Sequence, residues 1–369
     1  MDIPSIPKDE ASMRLAHPFR AASFCSTTAE LLRKGVGEAE WSRFKELLRD
    51  DSLMVGNMGI EIQKKGLRTL ETLVQLSAHT SGSTEVGGAM PFLVMLRHLE
   101  LPYPIFRVED SLIDILTQTD ISDDVSVSML PLPYPRLYIE LGQSRTLQES
   151  LSNIASGVHT LEGAYIEKGR HNRLGEGYYI MLTGSPLGKN DAMDDATLAL
   201  FLPTSASDER LEDVLKKSVL AANELARENG LRETPVEWTD QSYRCLLLLI
   251  KALLYISLPE VRRESHPERT EALKELQRLK SPGKKAKAER RMRKLSDYVV
   301  IKAAPAHEKA FSGEGREGGV KPHWRRAHYR MQAHGPRMSL RKLVFITEML
   351  VGVGKTDESS PTIPQYVVK

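Results

Sequence analysis

One stretch of this chain is apolar around nearly its whole circumference. Residues 245–258 read Cys-Leu-Leu-Leu-Leu-Ile-Lys-Ala-Leu-Leu-Tyr-Ile-Ser-Leu and are followed by Pro259. A helix without a polar side must be surrounded by other elements, and proline ends a helix because it lacks a backbone donor. The run is too short to cross a bilayer and contains Lys251. We therefore predict a buried central helix over residues 239–258, around which the rest of the chain packs.

The patterns on either side of this helix predict an α+β fold. Helical spacing of apolar residues occurs over 38–49 and 59–78, and Thr27 with Glu30 matches a capping box. Strand-like runs follow at 161–167, 177–183 and 197–202. The prediction is a helical N-terminal part followed by a mixed, mostly antiparallel sheet packed with helices and a C-terminal basic β-hairpin. A chain of 369 residues exceeds one usual core, so we expect two domains, residues 1–115 and 116–369, or one domain with a large appendage.

The tetrapeptide Leu-Pro-Tyr-Pro occurs twice. It stands at residues 101–104 and 132–135, each time before an alternating, strand-like run. Two copies are too few for a repeat architecture, and proline within a sheet favours edge strands. We interpret the pair as a coincidence or a shared way of entering an edge strand.

The positive charge of the chain is local. The net charge is only +2, but residues 260–342 contain 23 Lys and Arg against 10 Asp and Glu, a surplus of 13. Part of it lies in a predicted charged helix over 267–293, broken at 281–283, whose basic run covers 284–294. A nucleic-acid face and a solvated helix both fit this run.

The densest reactive chemistry lies in residues 320–346. Three of the ten histidines fall within twelve residues there, among arginines and aromatic rings, and no acidic residue occurs from 318 to 347. Alternation predicts a strand over 324–332, a turn at 334–336 and a return strand at 342–347. Forked guanidinium donors beside flat rings suit an RNA strand or an acidic peptide, and an exposed basic hairpin with solvated arginines would have much the same composition. The candidate binding residues are His323, Trp324, Arg325, Arg326, His328, Tyr329, Arg330 and Gln332.

The histidines also raise the possibility of catalysis. His323, His328 and His334 are candidate general acids and bases for RNA cleavage without a metal. On a strand, His323 and His328 face opposite sides, and His328 and His334 lie across a turn. The histidine spacings fit no metal pattern, and Gly352 to Thr356 lack the earlier glycine of a phosphate-binding loop. We therefore expect neither a metal nor a cofactor, and a metal-independent ribonuclease or RNA-binding protein stays open as an alternative.

The cysteine content and the N-terminus bear on the compartment. Cys25 and Cys245 form no CxxC pair, which fits a reducing cytoplasm. The opening residues lack the basic and apolar regions of a signal peptide. We expect a cytoplasmic protein without a membrane partner.

The 322–329 segment resembles a known family signature. Its sequence is Pro-His-Trp-Arg-Arg-Ala-His-Tyr, with Gln332, Gly335 and a final strand beyond it. This is similar to the Pro-His-x-Arg-Arg-Gly-His-aromatic pattern of the type V anti-CRISPR proteins that lower production of a CRISPR nuclease. Segments 132–139, 201–203 and 248–260 occur in the same order, so the resemblance covers roughly 119–352. Ala327 stands where the family has glycine.

The resemblance implies a regulatory protein of phage or mobile-element type. It would bind a nascent polypeptide, the emerging N-terminal segment of the nuclease, and promote loss of its message. RNA or the ribosome is a further partner that the resemblance leaves open. His323, Arg325, Arg326 and His328 carry over as the core of the target site, with Tyr329 and Gln332 as support.

Overall fold

A mixed β-sheet forms the centre of the computed structural model. Its strands, in chain order, are β1 Ile105–Val108, β3 Arg136–Glu140, β4 Ser150–Asn153, β5 Gly157–His171, β6 Gly175–Ser185, β7 Ala196–Pro203, β8 Arg262–His266 and β9 Tyr298–Lys302. The structure describes residues 17–81, 86–130, 132–141, 150–153, 157–185, 196–204, 209–228, 236–259, 261–292, 295, 297–303, 323–346 and 349–351.

The order of the strands in this sheet is β7-β6-β5-β3-β1-β9-β8, and β4 pairs with part of β5. Neighbours are antiparallel except that β1 runs parallel to both β3 and β9. The predicted mixed, mostly antiparallel sheet is therefore confirmed. The parallel pair of β1 and β9 joins residues that are far apart in the sequence, since Ile105 pairs with Tyr298.

The two Leu-Pro-Tyr-Pro segments lead into neighbouring strands. β1 and β3 pair directly, with Ile105 opposite Tyr138, and the Tyr138 amide donates to the Pro104 carbonyl at 2.8 Å. The expected edge-strand role is wrong, because both strands lie in the middle of the sheet. The prolines precede the strands, so they remove no ladder donor within them.

The first group of helices covers one face of the sheet. These helices are α1 His17–Val36, α2 Glu38–Arg49, α3 Met58–Lys64, α4 Thr69–Ser81 and α5 Val86–Glu100. Their apolar side chains share a core with Ile105, Tyr138, Tyr165, Tyr179 and Met181 from the sheet. Successive strand residues point to opposite faces, so the residues between these belong to a second core.

That second core lies on the other face of the sheet. It contains Leu137, Ile139, Ile166 and Ile180 together with α6 Asp110–Thr117, α7 Leu211–Glu228 and α8 Val236–Ile256. Nearly every residue of α8 from Cys245 to Ile256 is buried. The predicted central helix is confirmed, and the molecule is a sheet between two layers of helices.

Two details of the N-terminal helices differ from the prediction. The predicted helix over 59–78 is two helices, α3 and α4, because Gly66 takes a φ of 63° and ends the first. The predicted capping box lies inside α1, which continues to Val36 and ends where Gly37 takes a φ of 85°. Local glycine geometry, rather than the Thr-x-x-Glu pattern, sets these boundaries.

A buried ionic network joins the N-terminal helices to the sheet. Arg97 on α5 is fully buried and donates through Nη2 to Glu167 Oε1 at 3.1 Å and to the Asp50 carbonyl at 2.9 Å. Glu167 on β5 also accepts from the Tyr103 hydroxyl at 3.0 Å. Burial raises the pKa of the Glu167 carboxyl, and the two nearby arginines, Arg97 and Arg136, oppose that rise.

The remaining helices form an insertion between β8 and β9. The predicted charged helix, broken near residue 281, is confirmed as α9 Glu268–Arg278 and α10 Pro282–Met292. Within the described ranges, none of the helices is long and apolar enough to cross a membrane. The domain boundary expected near residue 115 stays a prediction. Strand β1 precedes that boundary in the chain and lies in the sheet between β3 and β9, which follow it.

Candidate functional site at the C-terminal hairpin

The 320–346 stretch forms most of a long β-hairpin. Its strands are β10 His323–Arg325, β11 His328–His334, β12 Leu340–Ile346 and β13 Met349–Val351. β10 pairs with β13 and β11 with β12, both antiparallel. One register runs through both ladders, from His323 opposite Val351 to His334 opposite Leu340. The predicted pairing is confirmed, although 324–332 is two strands, interrupted at Arg326 and Ala327.

A short strand attaches the hairpin to the body of the protein. β2, Asp120–Ile121, pairs in parallel with β11, placing Asp120 opposite His328. The Asp120 amide donates to the Ala327 carbonyl at 3.0 Å. The Met331 amide donates to Asp124 Oδ2 at 3.1 Å. The order of this small sheet is β12-β11-β2, so β12 is an edge strand.

The inner face of the hairpin packs against α8. Tyr329 is fully buried, and its hydroxyl donates to the Lys251 carbonyl at 2.6 Å. Its ring lies 5.0 Å from that of Phe345, which meets Tyr255 edge-on at 5.2 Å. Burial raises the pKa of the Tyr329 hydroxyl, which therefore keeps its proton and remains a donor. The structure thus places Tyr329 in the core, as an anchor of the strand.

The outer face carries the polar candidates. His328, Arg330, Gln332 and His334 alternate with Tyr329 along β11 and so share the opposite side. His328 is 9% exposed, and its Nδ1 lies 3.0 Å from the Arg326 carbonyl. A carbonyl only accepts, so Nδ1 carries a proton and donates this hydrogen bond.

Two buried nitrogen atoms on this face have no partner. Nε2 of His328 and Nε of Arg330 are both buried without a hydrogen bond. Each such atom costs about 1–3 kcal/mol relative to a paired one. Both atoms are closed to solvent, as are the unpaired nitrogens of Arg97 and Arg136 in the core, so they mark a local cost in stability rather than a position that a ligand on the surface could reach.

The tip of the hairpin is exposed and cationic. Every residue from Gly335 to Lys342 is exposed, including Arg337, Arg341 and Lys342. Gly335 has a φ of 75°, and Arg337 and Met338 have φ values of 54° and 57°. Non-glycine residues rarely adopt this conformation, and it concentrates at sites of recognition. The predicted turn at 334–336 is confirmed.

The structure brings some of the sequence candidates together and separates others. Arg326 and Gln332 are exposed near His328 and Arg330. The backbone of His323, Trp324 and Arg325 forms β10, and their side chains lie outside the described part. His328 and His334 share a face but lie six residues apart, roughly 20 Å along a strand. That separation is too long for both to act on one scissile phosphate.

Sequence reasoning missed the residues that hold the hairpin in place. The hairpin is held by Asp120, Asp124 and Lys251, which lie more than seventy residues before it in the sequence. Each of them contacts the hairpin through a backbone group or one carboxylate oxygen. Such contacts leave no local pattern. Among the described residues, there is also no cluster of His, Cys, Asp and Glu that could hold a metal ion.

The comparisons with known proteins agree with the resemblance in the sequence. Residues 106–353 match the model of an anti-CRISPR family of type V. Its description is Anti-CRISPR type V subtype A2 family, AcrVA2-like, and since the match covers more than half of the chain, the chain belongs to this family. The matched span includes the whole hairpin and β1 from Phe106 onward.

A solved structure is also similar. It is described as the crystal structure of AcrVA2, and the match covers 88% of this chain and 98% of that chain, with 12% identity and a TM-score of 0.41. No curated protein matches the sequence.

Proposed function

We propose that this protein is a cytoplasmic regulatory factor that binds an emerging polypeptide of a type V CRISPR nuclease and lowers its production. The C-terminal hairpin is the proposed binding surface, and loss of the message is the proposed outcome. Membership of an anti-CRISPR family supports a CRISPR effector as the target. Features of the hairpin support recognition of a nascent chain.

The edge strand β12 is the observation that carries the proposal. Among the described residues, β12 pairs with β11 on one side and with no strand on the other. An extended polypeptide can add to such an edge through backbone hydrogen bonds. A chain leaving the ribosome is extended and unpaired, so its conformation suits this mode of binding.

The charge on the hairpin favours a target segment with carboxylates. Arg326, Arg337, Arg341 and Lys342 are exposed, and no ion pair involves them within the described part of the chain. Charge complementarity raises the rate and specificity of association more than the final affinity.

The decisive experiment separates the polypeptide from its message. A nuclease message is translated in a cell-free system with and without the protein, and nuclease and intact message are measured. A synonymously recoded message keeps the polypeptide and should remain sensitive. A message frameshifted over its first codons keeps nearly the same RNA and should escape. The reverse pattern would show recognition of RNA and overturn the proposal.

Variants then place the site on the hairpin. We expect Arg341→Glu with Lys342→Glu to abolish the effect, because both cations are exposed beside the free edge. The matched control is Lys65→Glu with Arg173→Glu, two exposed cations elsewhere. Equal loss in the control would point to net charge rather than to the hairpin.

A further inference from the structure

The α9–α10 insertion is an arm whose described side chains, residues 268–289, belong to neither core. No residue of α9 is buried, and residues 281–287 at the start of α10 are all exposed. The two helices follow β8 and precede β9, the last two strands at one edge of the central sheet. A helix pair that buries no apolar face gains little stability from packing. The composition of its surface therefore requires an explanation other than core packing.

The base of the arm is held by side-chain bonds. Thr270 at the start of α9 donates through its amide and its hydroxyl to the Asp297 carboxylate, at 3.0 and 2.6 Å. The Tyr298 hydroxyl donates to Glu268 at 3.3 Å. These contacts fix where the arm leaves the sheet, and the helices beyond them face solvent.

Charge is distributed unequally between the two helices. α9 contains three acidic and three basic residues and is neutral, whereas α10 contains five basic residues and only Glu289 as an acid. A solvated helix normally mixes both signs. In α10, Lys284 and Lys287 are three residues apart on one side, where like charges repel and destabilise the helix.

The other residues of α10 decide which partner fits. Lys284, Lys285 and Lys287 are exposed and form no ion pair within the described part of the chain. Ala286 stands between them and Ala288 follows, so residues 284–288 contain no aromatic ring and no large apolar side chain. Protein interfaces depend on such anchors, and base recognition in single strands depends on stacking rings. The three lysines suit phosphates, which a lysine ammonium contacts as a point charge.

We infer that α10 is a contact surface for the phosphate backbone of RNA, without preference for sequence. The surface is separate from the proposed polypeptide site on β12. It would hold the protein near RNA at the place of translation while the hairpin engages its target. The inference therefore stands or fails independently of polypeptide recognition.

The test uses the full-length protein and a fluorescein-labelled RNA stem-loop of arbitrary sequence, with binding followed by anisotropy. The variant is Lys284→Glu, Lys285→Glu and Lys287→Glu together. We expect at least a tenfold loss of affinity, and the slope of log affinity against log salt should fall by about 2 to 3, since each lost contact removes about 0.7–0.9. Glutamate near the N-terminus of a helix is favourable, so α10 should remain folded, which circular dichroism checks.

The control variant lies on the same arm. Lys274→Glu, Arg278→Glu and Lys280→Glu make the same change in net charge at exposed positions on and after α9. This protein should retain binding within about threefold. Equal loss in both variants would mean that only overall charge matters. The inference would also be overturned if the wild-type protein did not bind the RNA. The same holds if Arg341→Glu with Lys342→Glu abolished RNA binding and the α10 variant did not.

Discussion

A partly buried histidine on α5, His98, couples the stability of this protein to pH. The ring of His98 meets those of Tyr103 and Tyr165 edge-on, at 5.3 and 5.7 Å, and its Nδ1 accepts from the Tyr103 amide at 3.2 Å. Burial, with a smaller contribution from the Arg269 cation, lowers the pKa of His98 to about 4. The folded protein therefore keeps this imidazole neutral where the unfolded chain protonates it.

We expect stability to fall as pH decreases from about 6.5 to 4. In that interval the unfolded chain binds a proton at His98 that the folded protein does not, so the free energy of unfolding decreases with pH, by up to about 3 kcal/mol. His98→Gln keeps an acceptor for the Tyr103 amide and does not titrate. Urea unfolding at pH 7 and pH 4.5 should show a smaller difference for this variant than for the wild type. An identical difference would show that His98 contributes nothing to the acid response.

At the scale of elements, the hairpin depends on one glycine. Gly335 combines a φ of 75° with a ψ of −172°, a region accessible almost only to glycine. A Cβ there would stand 2.9 Å from Leu340 Cδ1. The tip therefore tolerates no side chain at this position without a change in the backbone.

Gly335→Ala should destabilise the hairpin by about 1–3 kcal/mol. The loss should appear as faster amide hydrogen exchange in β11 and β12, and less in the central sheet, because the tip lies beyond the residues that pack on α8. Gly283→Ala is the control, since a Cβ at Gly283 meets nothing within 4 Å and lies in the first turn of α10. Unchanged exchange in the Gly335→Ala hairpin would show that the tip relaxes without cost.

Elements defined by local patterns were predicted well from the sequence. The apolar run of α8, the amphipathic α2 and the alternating β5, β6 and β7 have a periodicity that a single segment displays. Parallel pairing of β1 with β3 and β9 joins residues far apart and leaves no such signal. The hairpin was also predicted, but not its pairing with β2, which is two residues long.

For the candidate site, too, local features were predictable from the sequence and long-range contacts were not. The cations and histidines were evident from composition, whereas their separation into an anchoring face and an outer face required the core beneath them. Tyr329 illustrates the limit, since its neighbours in sequence are His328 and Arg330 and its neighbours in space are Phe345 and α8. Burial depends on tertiary partners that the local sequence does not reveal.

At the scale of the whole molecule, the family match does not coincide with a folding unit. The match begins at residue 106, yet Tyr138, Tyr165, Tyr179 and Met181 inside it are buried against helices that precede it. Without α5, Glu167 would also lose Arg97. Removing one partner of a buried ion pair costs about 3–5 kcal/mol, in addition to the exposed apolar face.

A fragment of residues 101–369 should therefore not fold alone. We expect it to lack a cooperative thermal transition and to bind a hydrophobic dye, because one face of its sheet is uncovered. Adding residues 1–100 as a separate chain should restore near-ultraviolet circular dichroism. A fragment that melts cooperatively by itself would instead support the domain boundary expected near residue 115.

The position of β1 also sets the order in which the protein can mature as it is made. Ile105 of β1 can pair with Tyr298 of β9 only after 193 further residues have been synthesised. At 5–20 residues per second, that interval is about 10 to 40 s of synthesis. During it, β1 can pair with β3 but has an open edge on its other side. The nascent protein thus has an unpaired strand edge in its central sheet until most of the chain has been synthesised. Chaperones would be most needed during that interval, because an unpaired edge can pair with another chain.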